Sequence, residues 1–136
     1  LATTRGEVII ENNTFRNLCG PALLIEDDCN FWFESGYTKD ITFRYNEVIC
    51  CNFNNTWIGA PVIQFTPKVL NENSEAPVHE KLSVYNNRFS KSLYNKHTFV
   101  LEYLQRAEIY NNIFDSEFSI IDKKCGEIFC KNNIVQ

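Results

Sequence analysis

The chain contains 136 residues, of which 44% are hydrophobic and 22% charged, and its formal net charge is −4. This size and composition fit one globular domain. The acidic balance argues against a nucleic-acid partner, because phosphate binding needs a basic face. No apolar run approaches the roughly 20 residues of a membrane-spanning helix.

The first residue is Leu1, and the chain contains no methionine. We therefore expect residues 1–136 to be a single domain that forms a piece of a longer protein.

A short motif recurs along the chain. It consists of a few alternating residues, one or two asparagines, and an apolar residue two positions further on. Alternation with period two predicts a half-buried strand, and asparagine turns the chain because it enters the left-handed region cheaply. The motif occupies residues 8–15, 41–48, 82–89, 108–114 and 127–135, and its asparagines begin at Asn12, Asn46, Asn86, Asn111 and Asn132.

Second strands are predicted between these motifs, at residues 22–26, 61–65, 99–103 and 118–121. The later motif spacings suit one coil of a repeat, and the earlier ones suit a coil with an insertion. We read residues 71–77 as a surface loop.

The pattern predicts an all-β fold, a right-handed parallel β-helix of about five coils. Stacked coils would place the asparagines in a hydrogen-bonded ladder and the phenylalanines in a stack inside. A β-sandwich is the main alternative, but the Asn-Gly and Asp-Gly signals of tight hairpins are absent.

A run of acids is the densest group of candidate functional residues. Glu26, Asp27 and Asp28 follow a strand, and Trp32 and Glu34 come shortly after. Glu26 and Asp28 would share the outward face about 6.6 Å apart, and carboxylates of inverting glycosidases lie ~6.5–9.5 Å apart. Repulsion among three acids favours keeping one protonated as a general acid, and Trp32 offers a flat face for a sugar ring.

Other interpretations of these residues remain open. Acids at turns are usually solvated or cap the turn, three of them could hold calcium, and Trp32 could belong to the core. We interpret His79 and His97 as ordinary loop residues. The six cysteines are either free thiols that behave as small apolar core residues or disulfide partners in an oxidising compartment.

Four blocks of the chain resemble the β-helical α-1,3-galactosidases of glycoside hydrolase family 110: residues 25–36, 40–46, 61–67 and 79–89. The Trp32-Phe33-Glu34-Ser35-Gly36 stretch is the most specific part. The resemblance implies an exo-acting enzyme that removes terminal α-galactose from branched glycans, with inversion and without a metal or other cofactor. It also implies that Asp27 and Asp28 belong to the catalytic carboxylates.

We therefore predict a glycoside hydrolase, or the β-helical part of one, that is secreted, periplasmic or at the cell surface. Asp27 and Asp28 would be catalytic, and Glu26, Trp32 and Glu34 would bind an oligosaccharide or glycan. The alternative is a non-catalytic carbohydrate-binding or structural module. Because a short stack exposes strand edges at both ends, we expect end-to-end self-association or packing against preceding coils.

Overall fold

The computed structural model describes residues 6–27, 36–53, 60–67 and 76–136, and its regular structure there consists of β-strands. These ranges contain no helix long and apolar enough to cross a membrane. The strands are β1 (Glu7–Glu11), β2 (Thr14–Arg16), β3 (Leu23–Ile25), β4 (Asp40–Arg44), β5 (Glu47–Ile49), β6 (Ile63–Phe65), β7 (His79–Tyr85), β8 (Arg88–Ser90), β9 (Phe99–Glu102), β10 (Leu104–Tyr110), β11 (Ile113–Phe114), β12 (Ile120–Lys123), β13 (Glu127–Lys131) and β14 (Ile134–Val135).

The strands form three parallel sheets. Sheet A has the order β1-β4-β7-β10-β13, sheet B the order β2-β5-β8-β11-β14, and sheet C the order β3-β6-β9-β12. Every described strand pairing is parallel. Successive coils therefore add one strand to each sheet in turn, and the predicted parallel β-helix of about five coils is confirmed. A sandwich of antiparallel hairpins is excluded.

Each complete coil has three strands, although the sequence interpretation gave it two. The predicted second strands correspond to sheet C. The segment after each asparagine, expected only to return an apolar residue to the core, is a short strand of sheet B. Strands of two or three residues are too short for alternation to identify them.

Alternate residues of each strand face the interior. In sheet A, Ile41 pairs with Leu82 and Phe43 pairs with Val84, and all four side chains are buried. In sheet B, Phe89 stacks on Phe114 with ring centroids 5.0 Å apart. The predicted internal phenylalanine stack is therefore present, but Val48 takes the corresponding place in the second coil.

A ladder of asparagine side chains connects all five coils at the corner between sheets A and B. In the second to fifth coils, the Oδ1 of the ladder asparagine accepts the backbone N–H and the Nδ2 of the asparagine in the preceding coil, at 2.8–3.2 Å. The members are Asn13, Asn46, Asn87, Asn112 and Asn133. The predicted ladder is confirmed with a corrected register, because Asn46 aligns with the second asparagine of each pair and not with the first.

The residue before each ladder asparagine has a left-handed backbone. It is an asparagine in four coils, namely Asn12, Asn86, Asn111 and Asn132, with φ between 53° and 57°. In the second coil it is Tyr45, with φ of 52°. Asparagine tolerates this conformation, whereas a bulky residue there is an outlier.

The five described cysteines, Cys19, Cys50, Cys51, Cys125 and Cys130, are free thiols. Of these only Cys51 is fully buried, and Cys19 and Cys130 are exposed. The interpretation as core residues therefore fits Cys51 and fails for the exposed pair. Cys29 lies outside the described residues.

Candidate functional site

The described part of the acid run, Glu26 and Asp27, lies at the corner where the chain passes from sheet C to sheet A. Between β9 and β10 this corner consists of Tyr103 alone, which adopts φ of 55°. In the first two coils the same corner is much longer, since residues 26–39 separate β3 from β4 and residues 66–78 separate β6 from β7. The described ends of both segments, residues 26–27 and 36–39 of the first and 66–67 and 76–78 of the second, therefore lie at this one corner of adjacent coils.

Glu26 and Asp27 begin the first insertion, directly after β3. Leu23 and Ile25 are buried and Leu24 is half-buried, so the predicted inward face of this strand is correct. Asp27 is only 3% exposed, and both of its carboxylate oxygens are shielded from solvent. A buried carboxylate is costly to keep charged, which distinguishes Asp27 from a solvated turn acid.

The other predicted site residues, Asp28, Trp32 and Glu34, lie outside the described residues. The separation of Glu26 and Asp28, and the contacts of Trp32, therefore remain predictions. The same holds for calcium binding by the three acids.

His79 is not an ordinary loop residue, and that interpretation was wrong. It is the first residue of β7 and is fully buried. Its ring makes edge-to-face contacts with Phe65, at 5.6 Å between centroids, and with Tyr37, at 5.9 Å. The repeat could have predicted the burial of His79, because His79 occupies the same position in its coil as the core residue Leu104 of β10, with which it pairs.

His79 fixes the end of the segment that carries the acid run. Its Nδ1 accepts the backbone N–H of Thr38 at 3.1 Å and lies 2.9 Å from the Thr38 Oγ1. Since a backbone N–H can only donate, Nδ1 must be unprotonated, and a neutral ring then carries its proton on Nε2. That Nε2 is buried without a hydrogen-bond partner among the described residues.

Burial lowers the pKa of His79 to about 4. The imidazole is therefore neutral near pH 7, and its bond to Thr38 does not depend on protonation there. An uncharged, unpartnered Nε2–H is a donor for a buried water or an acceptor that enters this corner. His79 therefore anchors Thr38, which lies near the described end of this segment.

A charged groove of about 540 Å³ lies along the same corner in the third to fifth coils. Its lining includes Lys81, Arg106 and Glu127. Arg106 bonds Glu108 at 2.7 Å and Glu127 at 3.1 Å, and the bond from Arg106 lowers the pKa of Glu108. The guanidinium is therefore held in place before any ligand arrives.

No protein-family model matches the chain. Individual proteins are nevertheless similar to it in sequence. The chain is 30% identical to alpha-1,3-galactosidase B of Bacteroides thetaiotaomicron over 145 aligned positions. This alignment covers the whole chain and 23% of the relative. Over 89 positions, or 65% of the chain, it is 38% identical to alpha-1,3-galactosidase A of Bacteroides fragilis and 35% identical to that of Akkermansia muciniphila.

The chain spans less than a quarter of the length of these relatives, namely 23%, 14% and 13%. The predicted likeness to galactosidases is confirmed at this coarser level. The chain is related to a group of proteins named alpha-1,3-galactosidases.

Proposed function

We propose that the protein is a glycoside hydrolase, or the β-helical part of one, that removes terminal α-galactose from glycans with inversion. The buried carboxylate of Asp27 carries this proposal, together with its location in a chain related to proteins named alpha-1,3-galactosidases. The charged groove further along the same corner has room for the remainder of a glycan.

Asp27 and Asp28 are the proposed acid and base. An inverting hydrolase needs one carboxyl group to protonate the leaving oxygen and one carboxylate to activate a water on the opposite face of the sugar. The reaction needs no cofactor. Glu26, Trp32 and Glu34 are proposed to bind the galactose, and His79 holds the returning end of this segment through Thr38.

The test uses the natural gene product that contains these residues, with α-1,3-galactobiose as substrate. Asp27→Asn and Asp28→Asn should each lower kcat by about 10²–10⁴-fold, the usual contribution of general acid–base catalysis. Asp122→Asn is the matched control, because Asp122 is exposed on β12 at the far side of sheet C. Time-resolved NMR of the released sugar should show β-galactose first.

Undiminished turnover by Asp27→Asn and Asp28→Asn would remove both residues from the mechanism. Initial release of α-galactose would contradict inversion. Galactoside binding without any turnover by the unsubstituted protein would favour the alternative, a non-catalytic carbohydrate-binding module.

A further inference from the structure

A second groove lies at the corner between sheets A and B, away from the acid run. It has a volume of about 480 Å³ and runs across the second to fourth coils, along the outside of the asparagine ladder. Its lining includes Tyr45, Glu47, Asn86, Arg88 and Asn111. This volume is within the range of small-molecule sites.

Tyr45 is the unusual residue of this groove. The other four coils use asparagine at its position, where the backbone is left-handed. Tyrosine is less suited to that conformation, and Tyr45 is 52% exposed. Backbone strain of this kind can persist where a side chain has a functional role. Tyr103 adopts the same left-handed backbone at another corner but is only 3% exposed, so it is the exposure of Tyr45 that sets it apart.

The ring of Tyr45 is held in a fixed orientation. The guanidinium of Arg44 lies 5.8 Å from its centroid, and Tyr85 meets it edge to face at 6.2 Å. Arg44 is itself fixed by bonds to Glu11 at 2.6 Å and to the Tyr85 hydroxyl at 2.9 Å. Tyr45 therefore offers a rigid, partly apolar surface that a ligand can use without first ordering it.

Four polar side chains of the groove have no hydrogen-bond or ion-pair partner among the described residues. Within the described part of the chain, the side chains of Glu47, Asn86, Arg88 and Asn111 make no hydrogen bond or ion pair. Together they supply a carboxylate acceptor, guanidinium donors, and two amides that both donate and accept. Sugar hydroxyls donate and accept in the same way, and so complement these groups.

The charges in the groove indicate a neutral ligand. Glu47 and Arg88 are paired in the register of β5 and β8, so one negative and one positive group sit side by side. An anion or a cation would meet one unfavourable charge, whereas a neutral polyhydroxylated ring meets none. The apolar face of such a ring can also pack on an aromatic side chain.

We propose that this groove is a non-catalytic saccharide site that binds a neutral pyranose against Tyr45. It is separate from the acid run and does not depend on the hydrolase proposed above. Its role would be to hold a glycan along one corner of the stack, a binding function additional to cleavage.

The test is an NMR titration of the protein with methyl β-galactoside, glucose and glucuronate, monitored through the side-chain amides of Asn86 and Asn111. The neutral sugars should shift these signals, and Tyr45→Asn should weaken binding at least tenfold. That substitution installs the residue of the other four coils, so the thermal midpoint should be unchanged or raised. Tyr94→Asn is the matched control, because Tyr94 is 61% exposed outside this groove.

Asp27→Asn should leave the amide shifts unchanged, whatever it does to hydrolysis. Three results would overturn the site: no shift with either neutral sugar, equal binding by Tyr45→Asn and the unsubstituted protein, or a shift with glucuronate alone.

Discussion

The Oδ1 of Asn112 accepts two hydrogen bonds from Asn87, one from its backbone N–H and one from its Nδ2, each at 3.0 Å. The Nδ2 of Asn87 also donates to the carbonyl of Phe43 in the preceding coil. The side chain of Asn87 thus bonds buried groups in the coils on both sides of its own. Such bonds allow the polar groups of a sharp turn to be buried at this corner.

Replacing Asn87 with alanine should cost about 3 kcal/mol or more of unfolding free energy. The substitution leaves the backbone N–H of Asn46 and the carbonyl of Phe43 without this partner, and each orphaned buried group costs about 1–3 kcal/mol. Asn13→Ala is the control, since Asn13 is the exposed end member of the ladder, and it should cost about 1 kcal/mol at most. Urea denaturation measures both, and equal losses would contradict a role for burial.

His79→Phe should release the end of the acid-bearing segment. Phenylalanine keeps an aromatic ring between Tyr37 and Phe65 but offers no acceptor to the Thr38 amide. His79→Asn is the rescue variant, because its Oδ1 can accept that amide. Hydrogen exchange at Thr38 should be fast in the phenylalanine variant and slow in the asparagine variant. Slow exchange in both would show that the His79 bond does not hold this segment.

Folding stability should fall as the pH drops from about 6.5 to about 4. The pKa of His79 is lowered from 6.5 to about 4 by burial, so the unfolded chain binds a proton at a pH where the folded chain does not. Protons then favour unfolding, and the loss amounts to about 3 kcal/mol over the whole window. Above pH 6.5 both states are neutral at this residue, and its contribution does not change.

His79→Asn provides the matched measurement for this pH dependence. It removes the titrating group while keeping an acceptor for Thr38, so the slope of unfolding free energy between pH 6.5 and 4 should become shallower. If both proteins lose stability in parallel over this window, other groups control the acid response.

The repeating strands and turns could be predicted from the sequence, but the burial of some individual side chains within the stack could not. Asparagine turns and alternating strands depend on neighbouring residues, so the motif at residues 82–89 could be recognised locally. The burial of His79 depends on which residues of the neighbouring coils lie beside it. The register between coils that determines this is known only after Asn87 has been aligned with Asn46 and Asn112. The same alignment would have identified Tyr45 as the exception among the left-handed residues.

The acid run illustrates a different limit. Alternation correctly predicted that Leu23 and Ile25 face inward, because a strand has a fixed period. Beyond β3 the chain leaves regular structure, and no period then relates one side chain to the next. The burial of Asp27 therefore could not be inferred from its position in the run.

Gly126→Ala should be destabilising, and Gly20→Ala should not. A Cβ on Gly126 would lie 2.3 Å from the backbone oxygen of Gln105, so the tight turn between the fourth and fifth coils would have to shift, at a cost of about 2 kcal/mol or more. A Cβ on Gly20 meets no atom within 4 Å. There, alanine should be neutral or stabilise by up to about 1 kcal/mol, because it restricts the unfolded chain. Thermal denaturation that ranks the two variants in the opposite order would contradict this.

The 136-residue chain in isolation should associate end to end. The first and last strands of sheet A, β1 and β13, each pair on one side only. Ile9 and Phe129 are 60% and 47% exposed at these two ends and occupy the same outward column of the sheet. An unpaired strand edge with exposed apolar residues is a template for a second chain.

The ladder makes this association directional. Within the described residues, Asn13 has an Oδ1 that accepts no hydrogen bond, and Asn133 has a backbone N–H that donates none, so one end complements the other. The weight-average mass in sedimentation experiments should rise with concentration, and Phe129→Lys should reduce the rise. Leu93→Lys, at a fully exposed loop residue far from both ends, should not. A monomer at every concentration, or equal effects of the two lysines, would contradict head-to-tail stacking.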